Sequence, residues 1–129
     1  MLTAPQFSPT ALQSVLARIG QAAASAGRDP ASVRLLAVSK QQPESMVRAA
    51  AAAGQREFGE NYVQEGADKV DALADVPGLV WHFIGQLQAN KTREVAGRFA
   101  WVHTVDRERI AARLSAQRPH HAPPLQVLL

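Results

Sequence analysis

Apolar residues recur along the chain in two spacings that alternate with each other. Over residues 9–26 they fall every three or four positions, as on one face of an α-helix. Ser8 is a residue type that caps helices, Pro9 suits a first helical position, and Gly27 suits a helix end. Residues 33–38 then form a short, mainly apolar run typical of a buried strand. The chain is therefore predicted to open with a helix followed by a strand.

This alternation continues to the end of the chain. Helical spacing is predicted at 43–53, 61–73 (with Tyr62, Val63, Ala67, Val70 and Leu73 inward), 90–98 and from the capping residue Asp106 through 115. Short strand-like runs are predicted at 57–59, 79–84, 101–105 and 125–129. Strands and helices that alternate through short loops predict right-handed βαβ units and a parallel sheet. Because no linker interrupts the pattern, residues 1–129 are expected to form a single, partial domain.

Five such units fit two architectures. They can form a small open, doubly wound sheet, or the first part of an eight-stranded barrel, which needs roughly 250 residues. The chain stops inside the apolar run 125–129, and an uncovered apolar strand invites aggregation. This favours the second architecture, a TIM-type (β/α) barrel truncated after about five strands.

Composition narrows the class of protein. The chain has 129 residues, 47% of them hydrophobic, and no cysteine, which excludes a disulfide scaffold, a thiolate metal site and a cysteine nucleophile. No apolar run approaches the length of a membrane span, and the first ten residues lack the features of a secretory signal. We therefore expect a cytoplasmic protein with no membrane partner.

The net charge of +3 does not indicate a nucleic-acid interface. The densest basic series lies among acidic and apolar residues, which is typical of a solvated helix face: Arg107, Arg109, Arg113 and Arg118. His120 and His121 have no partner at zinc-ligand spacing, so no metal site is expected.

Candidate chemistry lies at the carboxyl ends of the predicted strands, at 39–40, 59–61, 85–88 and 104–106. Lys40 follows a buried strand, so its amine is expected at a concave mouth. A lysine amine partly removed from water there is a nucleophile toward carbonyl groups, as in Schiff-base chemistry. The alternative from position alone is an idle, solvated lysine in a loop.

The other polar candidates leave alternatives open. Asn61 either caps its own helix or points its amide at a ligand. His82 and His103 lie within strands, where a histidine is more often a hydrogen-bonded core residue than a base. Lys69, in mid-helix, is predicted to be a surface charge. Lys91 starts a helix, where it either helps to hold an anion or is polar with nothing bound.

Four segments stand out when taken together: LLAVSK at 35–40, FGENYVQE at 58–65, WHFIGQLQANK at 81–91 and HTVD at 103–106. In order and spacing they resemble the pyridoxal phosphate homeostasis protein family. The resemblance implies the amino-terminal part of a single-domain barrel related to alanine racemase. It also implies that Lys40 carries pyridoxal 5′-phosphate (PLP) as an aldimine, with Asn61 at the cofactor's mouth and His82 on a pocket strand.

That resemblance implies a protein that binds, buffers and delivers PLP to PLP-dependent apo-enzymes, as a monomer or weak homodimer, with no defined turnover. One alternative is a PLP-dependent amino-acid racemase or lyase of the same barrel class. A further alternative is a truncated fragment that does not bind, because the family's phosphate-binding segments and the arginine facing the pyridine nitrogen come from later strands.

Overall fold

Residues 6–129 are described by a computed structural model, so residues 1–5 of the segment considered for a signal lie outside the described residues. The predicted alternation of strands and helices is confirmed. The elements are α1 (Pro9–Ser25), β1 (Ala37–Val38), α2 (Glu44–Ala52), β2 (Glu57–Glu60), α3 (Val63–Ala72), β3 (Val80–Phe83), α4 (Thr92–Arg98), β4 (Trp101–Val102), α5 (Glu108–Gln117) and β5 (Gln126–Val127). Short 3₁₀ turns at Pro30–Ser32 and Ala89–Lys91 precede β1 and α4.

The five strands form one parallel sheet in the order β1-β2-β3-β4-β5. A doubly wound sheet reverses its strand order at a switch point, whereas a barrel adds each strand beside the one before it. The doubly wound alternative is therefore wrong, and the (β/α) barrel arrangement is confirmed. In this register His82 lies opposite Gly59 on β2 and opposite Trp101 on β4.

Helix ends follow the local sequence closely in α1 and less closely in α5. Ser8 caps α1, its Oγ accepting a hydrogen bond from the Ala11 N–H at 3.1 Å. The expected cap of α5 by Asp106 is wrong, because the helix begins at Glu108. The chain is still paired with β5 just before this point, since the Val105 N–H donates to the Leu128 carbonyl.

One face of the sheet carries the hydrophobic core. Phe83 and Val102 point from it into the layer of helices, where they are fully buried with Val95 and Ile110. The Phe83 ring meets the Phe99 ring edge to face, with centroids 5.6 Å apart. We call this the outer face; Phe58, Trp81 and Phe83 share its strand parity.

The opposite face, here the inner face, is not covered by helices within residues 6–129. Val38 projects from it and is 50% exposed, so the strand predicted as buried over 33–38 is covered on one side only. The inward prediction for Tyr62 is also wrong. Tyr62 precedes the first turn of α3 instead of lying within the helix, and it is exposed.

The sequence predicted a solvated face for the arginines in and beside α5. This prediction is wrong for two of them. Arg113 donates through Nε to the Ala89 carbonyl at 2.8 Å. Arg118 donates through Nη1 to the carbonyls of Ala96 and Phe99. Both side chains therefore tie α5 to the preceding unit.

Across residues 6–129, no helix has both the length and the apolar content needed to cross a membrane.

Candidate functional site

The carboxyl ends of β1, β2 and β3 meet at one edge of the sheet. The Ser39 N–H donates to the Gly59 carbonyl at 3.0 Å, and the Ile84 N–H donates to the Glu60 carbonyl at 2.9 Å. These bonds extend the strand register by one residue, which places Lys40 and Asn61 at neighbouring positions just beyond it. The edge therefore brings together two of the residues singled out in the sequence.

Lys40 lies in the turn that follows β1. Ser39 faces the helices, so alternation assigns Lys40 to the inner face. The turn closes through a hydrogen bond from the Gln42 N–H to the Ser39 carbonyl, and Gln41 has a left-handed φ of 61°. Lys40 is exposed, so the described residues do not provide the partly dry surroundings that the sequence suggested.

Asn61 does not cap the helix that follows it. The residue at the N-cap of α3 is Tyr62, and no side chain caps the helix. The Asn61 Oδ1 atom is buried, and it accepts no hydrogen bond from any group in residues 6–129. The capping alternative is therefore wrong, and the Asn61 side chain has an acceptor at this edge of the sheet that is unpaired among the described residues.

Gly85 allows β3 to leave the sheet directly against Asn61. A Cβ at position 85 would lie 2.1 Å from the Asn61 carbonyl oxygen, so no larger residue fits without moving the backbone. The cavity beside this contact has a volume of about 580 Å³, and its wall includes Gln86, Gln88 and Lys91. Lys91 thus reaches the same edge as Asn61.

Deeper on the inner face, three titratable side chains form a hydrogen-bonded chain. The His82 Nε2 lies 2.9 Å from Glu57 Oε1, and the His82 Nδ1 lies 2.9 Å from His103 Nε2. A carboxylate only accepts, so a neutral His82 donates from Nε2 to Glu57 and accepts at Nδ1 from the His103 N–H. Trp101 stacks on the His82 ring at 5.3 Å, and Arg34 lies 3.4 Å from the second Glu57 oxygen.

Burial determines the charge of the two histidines. It lowers the pKa of His82 below its ordinary 6.5 and outweighs the opposing effect of the Glu57 carboxylate. Burial also lowers the pKa of His103. Both rings are therefore neutral near pH 7, which agrees with one proton in each hydrogen bond. His82 has no free ring nitrogen for a ligand, because both of its nitrogens are engaged.

The sequence-based prediction for Lys69 is wrong. Lys69 was predicted to be a surface charge, yet it is 8% exposed. Its Nζ donates to the Ser39 carbonyl at 2.6 Å and to one carboxylate oxygen each of Glu60 and Glu65 at 3.0 Å. The cause is Glu60, which is fully buried on the outer face and requires a cation.

A signal for this cluster was present in the sequence. Glu60 has the same strand parity as Phe58, which predicts a core-facing carboxylate. Glu65 and Lys69 are also four residues apart on a helix, a spacing at which opposite charges meet.

The chain is similar in sequence to curated proteins and in fold to a solved structure. No family profile matches it. It is 60% identical over 118 residues to the pyridoxal phosphate homeostasis protein of Pseudomonas aeruginosa, which covers 92% of this chain and 51% of that protein. It is 55% identical over 120 residues to the protein of the same name from Escherichia coli K12, with the same coverage. The chain spans about half the length of the curated relatives it matches.

A solved structure agrees with the barrel architecture. The chain is similar to PipY of Synechococcus elongatus, solved with PLP bound, with a TM-score of 0.66 and 45% identity over 77% of this chain and 47% of PipY. The chain is therefore similar in sequence to the pyridoxal phosphate homeostasis proteins and in fold to PipY, and it spans about half the length of each.

Proposed function

We propose that this chain binds pyridoxal 5′-phosphate and that Lys40 is the residue that holds it covalently, as a Schiff base. The observation that carries the proposal is the position of Lys40, just beyond the end of β1 and next in register to Asn61, whose side-chain oxygen has no hydrogen-bond partner within residues 6–129. The PLP named in the PipY structure supports the choice of ligand.

The state of the Lys40 amine fits this role. Within residues 6–129 it forms neither an ion pair nor a hydrogen bond, whereas Lys69 is held by three acceptors. Condensation with an aldehyde needs an amine that the aldehyde can reach. PLP, when bound, supplies the aldehyde carbon, and the condensation releases water.

Asn61 and His82 would contribute to the binding site in different ways. Asn61 would accept a hydrogen bond from the ligand through Oδ1, because this atom has no partner within residues 6–129 and Asn61 lines the cavity at this edge. His82 would shape the pocket and would not exchange a proton with the ligand, since both of its ring nitrogens are engaged. Asn61 and His82 thus serve as binding residues without a catalytic role.

We further propose that residues 1–129 form one partial PLP-binding domain of a cytoplasmic protein, monomeric or weakly dimeric, that holds PLP for apo-enzymes and has no turnover of its own. The names of the relatives support a homeostatic role. No group within residues 6–129 is assigned to the phosphate.

The test is the visible absorbance of the purified 129-residue chain with PLP, followed by borohydride reduction and peptide mapping. The chain has three lysines, so labelling of Lys40 can be compared with labelling of Lys69 and Lys91 in one molecule. Labelling of Lys40 at least about tenfold above Lys91 supports the proposal. Equal labelling of Lys40 and Lys91 overturns it.

A second assay addresses turnover. The chain with PLP is incubated with single enantiomers of amino acids, and racemisation is compared with that by free PLP. No increase is expected. A rate above free PLP that is lost in Lys40→Ala would replace the homeostatic role with the racemase or lyase alternative.

A further inference from the structure

We propose that Lys69 is a positioning residue for Lys40, fixing the backbone on both sides of it from beneath the sheet edge. The inference rests on the proposed function for its consequence at Lys40. Its structural basis is a cluster of four side chains, here the Lys69 cluster: Ser39, Glu60, Glu65 and Lys69.

On the amino-terminal side of Lys40, the cluster holds Ser39 at two points. The Lys69 ammonium donates to the Ser39 carbonyl, which belongs to the peptide bond that leads into Lys40. The Ser39 hydroxyl donates to the Glu60 carboxylate, which Lys69 also contacts. Backbone and side chain of Ser39 are therefore tied to the same buried charges.

On the carboxyl-terminal side, the cluster holds Gln41. One oxygen of Glu65 accepts from Lys69 at 3.0 Å and from the Gln41 N–H at 2.6 Å. Gln41 has a φ of 61°, a left-handed conformation that is unfavourable for a residue with a side chain and needs fixed surroundings to persist. The Glu65 bond supplies such an attachment next to Lys40.

Charge burial argues for a geometric role. Glu60 is fully buried and Lys69 nearly so, and a buried ion pair often stabilises a fold no better than apolar residues of the same size. What an apolar replacement cannot provide is the pair of directed bonds to residues 39 and 41. The Lys69 cluster therefore holds the backbone on either side of Lys40 from the outer face of the sheet, whereas Lys40 is assigned to the inner face.

Arg48 provides a matched control for the removal of the Lys69 cation. Arg48 also forms an ion pair, with Asp75, and also donates to the Ala72 carbonyl at the end of α3. It forms no hydrogen bond or ion pair with residues 39–41. Arg48→Met therefore removes a cation that links α2 to α3 and leaves the support of Lys40 intact.

Two measurements on the 129-residue chain test the inference in wild type, Lys69→Met and Arg48→Met. The first is amide hydrogen exchange at Gln41, which needs no ligand. The second is the ratio of Lys40 to Lys91 labelling after PLP and borohydride. In Lys69→Met we expect exchange at Gln41 to be about tenfold faster and the labelling ratio to fall about tenfold, because the Glu65 oxygen and the Ser39 carbonyl lose their shared anchor. Arg48→Met is expected to match wild type in both.

Circular dichroism shows whether Lys69→Met folds. If it does not, the same two measurements are made on Glu65→Gln. It weakens the acceptor for the Gln41 N–H and leaves the Lys69–Glu60 bond in place, so a smaller change in the same direction is expected. Asp68→Asn, on the exposed side of the same helix, is its control.

The outcomes separate the two proposals. A folded Lys69→Met or Glu65→Gln variant with wild-type exchange at Gln41 overturns the positioning role. Faster exchange with an unchanged labelling ratio overturns it as well. Equal labelling of Lys40 and Lys91 in wild type refutes the proposed function instead, and the exchange rates alone then decide whether Lys69 holds the segment.

Discussion

The two faces of the sheet are built on different principles, although the same strands supply both. Phe83, on the outer face, is fully buried against the helices. Its neighbour His82, on the inner face, is bonded to Glu57 and His103. Residue-by-residue alternation lets one strand of four residues serve packing on one side and polar chemistry on the other.

The two glutamates of β2 show the same contrast. Glu60 points outward, is fully buried and is neutralised by Lys69. Glu57 points inward and is bonded to a neutral imidazole, with Arg34 at 3.4 Å. The outer charge is fixed by an ammonium in the core, whereas the inner charge is bonded to a histidine whose pKa is held below its ordinary value by burial. Stability should therefore depend on the outer face, and sensitivity to solution conditions on the inner face.

The largest expected effect is on the outer face. Phe83→Ala should lower the free energy of unfolding by about 3–5 kcal/mol, because it removes a fully buried ring and leaves a cavity beside Phe99. Urea unfolding followed by circular dichroism measures this loss. Val38→Ala, on the half-exposed inner face, is the control and should cost about 1 kcal/mol or less. Equal losses in the two variants would contradict the division between the faces.

A smaller effect is expected from pH. The folded chain holds the pKa values of His82 and His103 below 6.5, so the unfolded chain binds protons at pH values where the folded chain does not. The free energy of unfolding should therefore fall as the pH drops below about 6.5 toward the lower folded pKa values, and these two groups should add no dependence above that range.

The measurement is the urea midpoint at about pH 7.5 and about pH 5.5, in wild type and in the double variant His82→Gln/His103→Gln. The double variant should lose most of the decrease. His120→Gln/His121→Gln removes two exposed histidines and serves as the control. A wild-type decrease that persists unchanged in the His82/His103 variant would place the pH dependence elsewhere.

The smallest effect on stability is expected at Lys40. Lys40→Ala should change the free energy of unfolding by no more than about 0.5 kcal/mol, because the side chain is exposed and has no bonded partner within residues 6–129. The same variant should lose the PLP adduct. Circular dichroism and urea unfolding, run beside the borohydride assay, measure both. Unfolding of Lys40→Ala would show that the residue supports the fold.

The sequence was sufficient for the elements and for the position of Lys40. Hydrophobic spacing located the five strands and five helices of residues 6–129 to within a few residues. Polar residues after strands β1 and β2 were expected at a shared edge, and Lys40 and Asn61 do lie there.

The sequence was insufficient where a side chain's surroundings come from a distant element. Lys69 has acidic neighbours along its helix, which suggested a solvated charge. Its partner Glu60 lies nine residues earlier on β2, and the Ser39 carbonyl lies thirty residues earlier. Arg118 likewise found its acceptors about twenty residues away, on the end of α4. Local spacing contains no information about such acceptors, particularly where they are backbone carbonyls.

The separation of these bonded groups along the chain bears on how the molecule is assembled. Side-chain hydrogen bonds between successive units, such as Arg48–Asp75, His82–His103 and Arg113 to the Ala89 carbonyl, join residues 21 to 27 positions apart, about one β/α unit. Each strand likewise pairs with the one just before it. Closing a loop of about one unit costs less entropy than joining units further apart along the chain. Each unit can therefore dock on its predecessor as it leaves the ribosome, and the edge that carries Lys40 and Asn61 is complete as soon as the second and third units have docked.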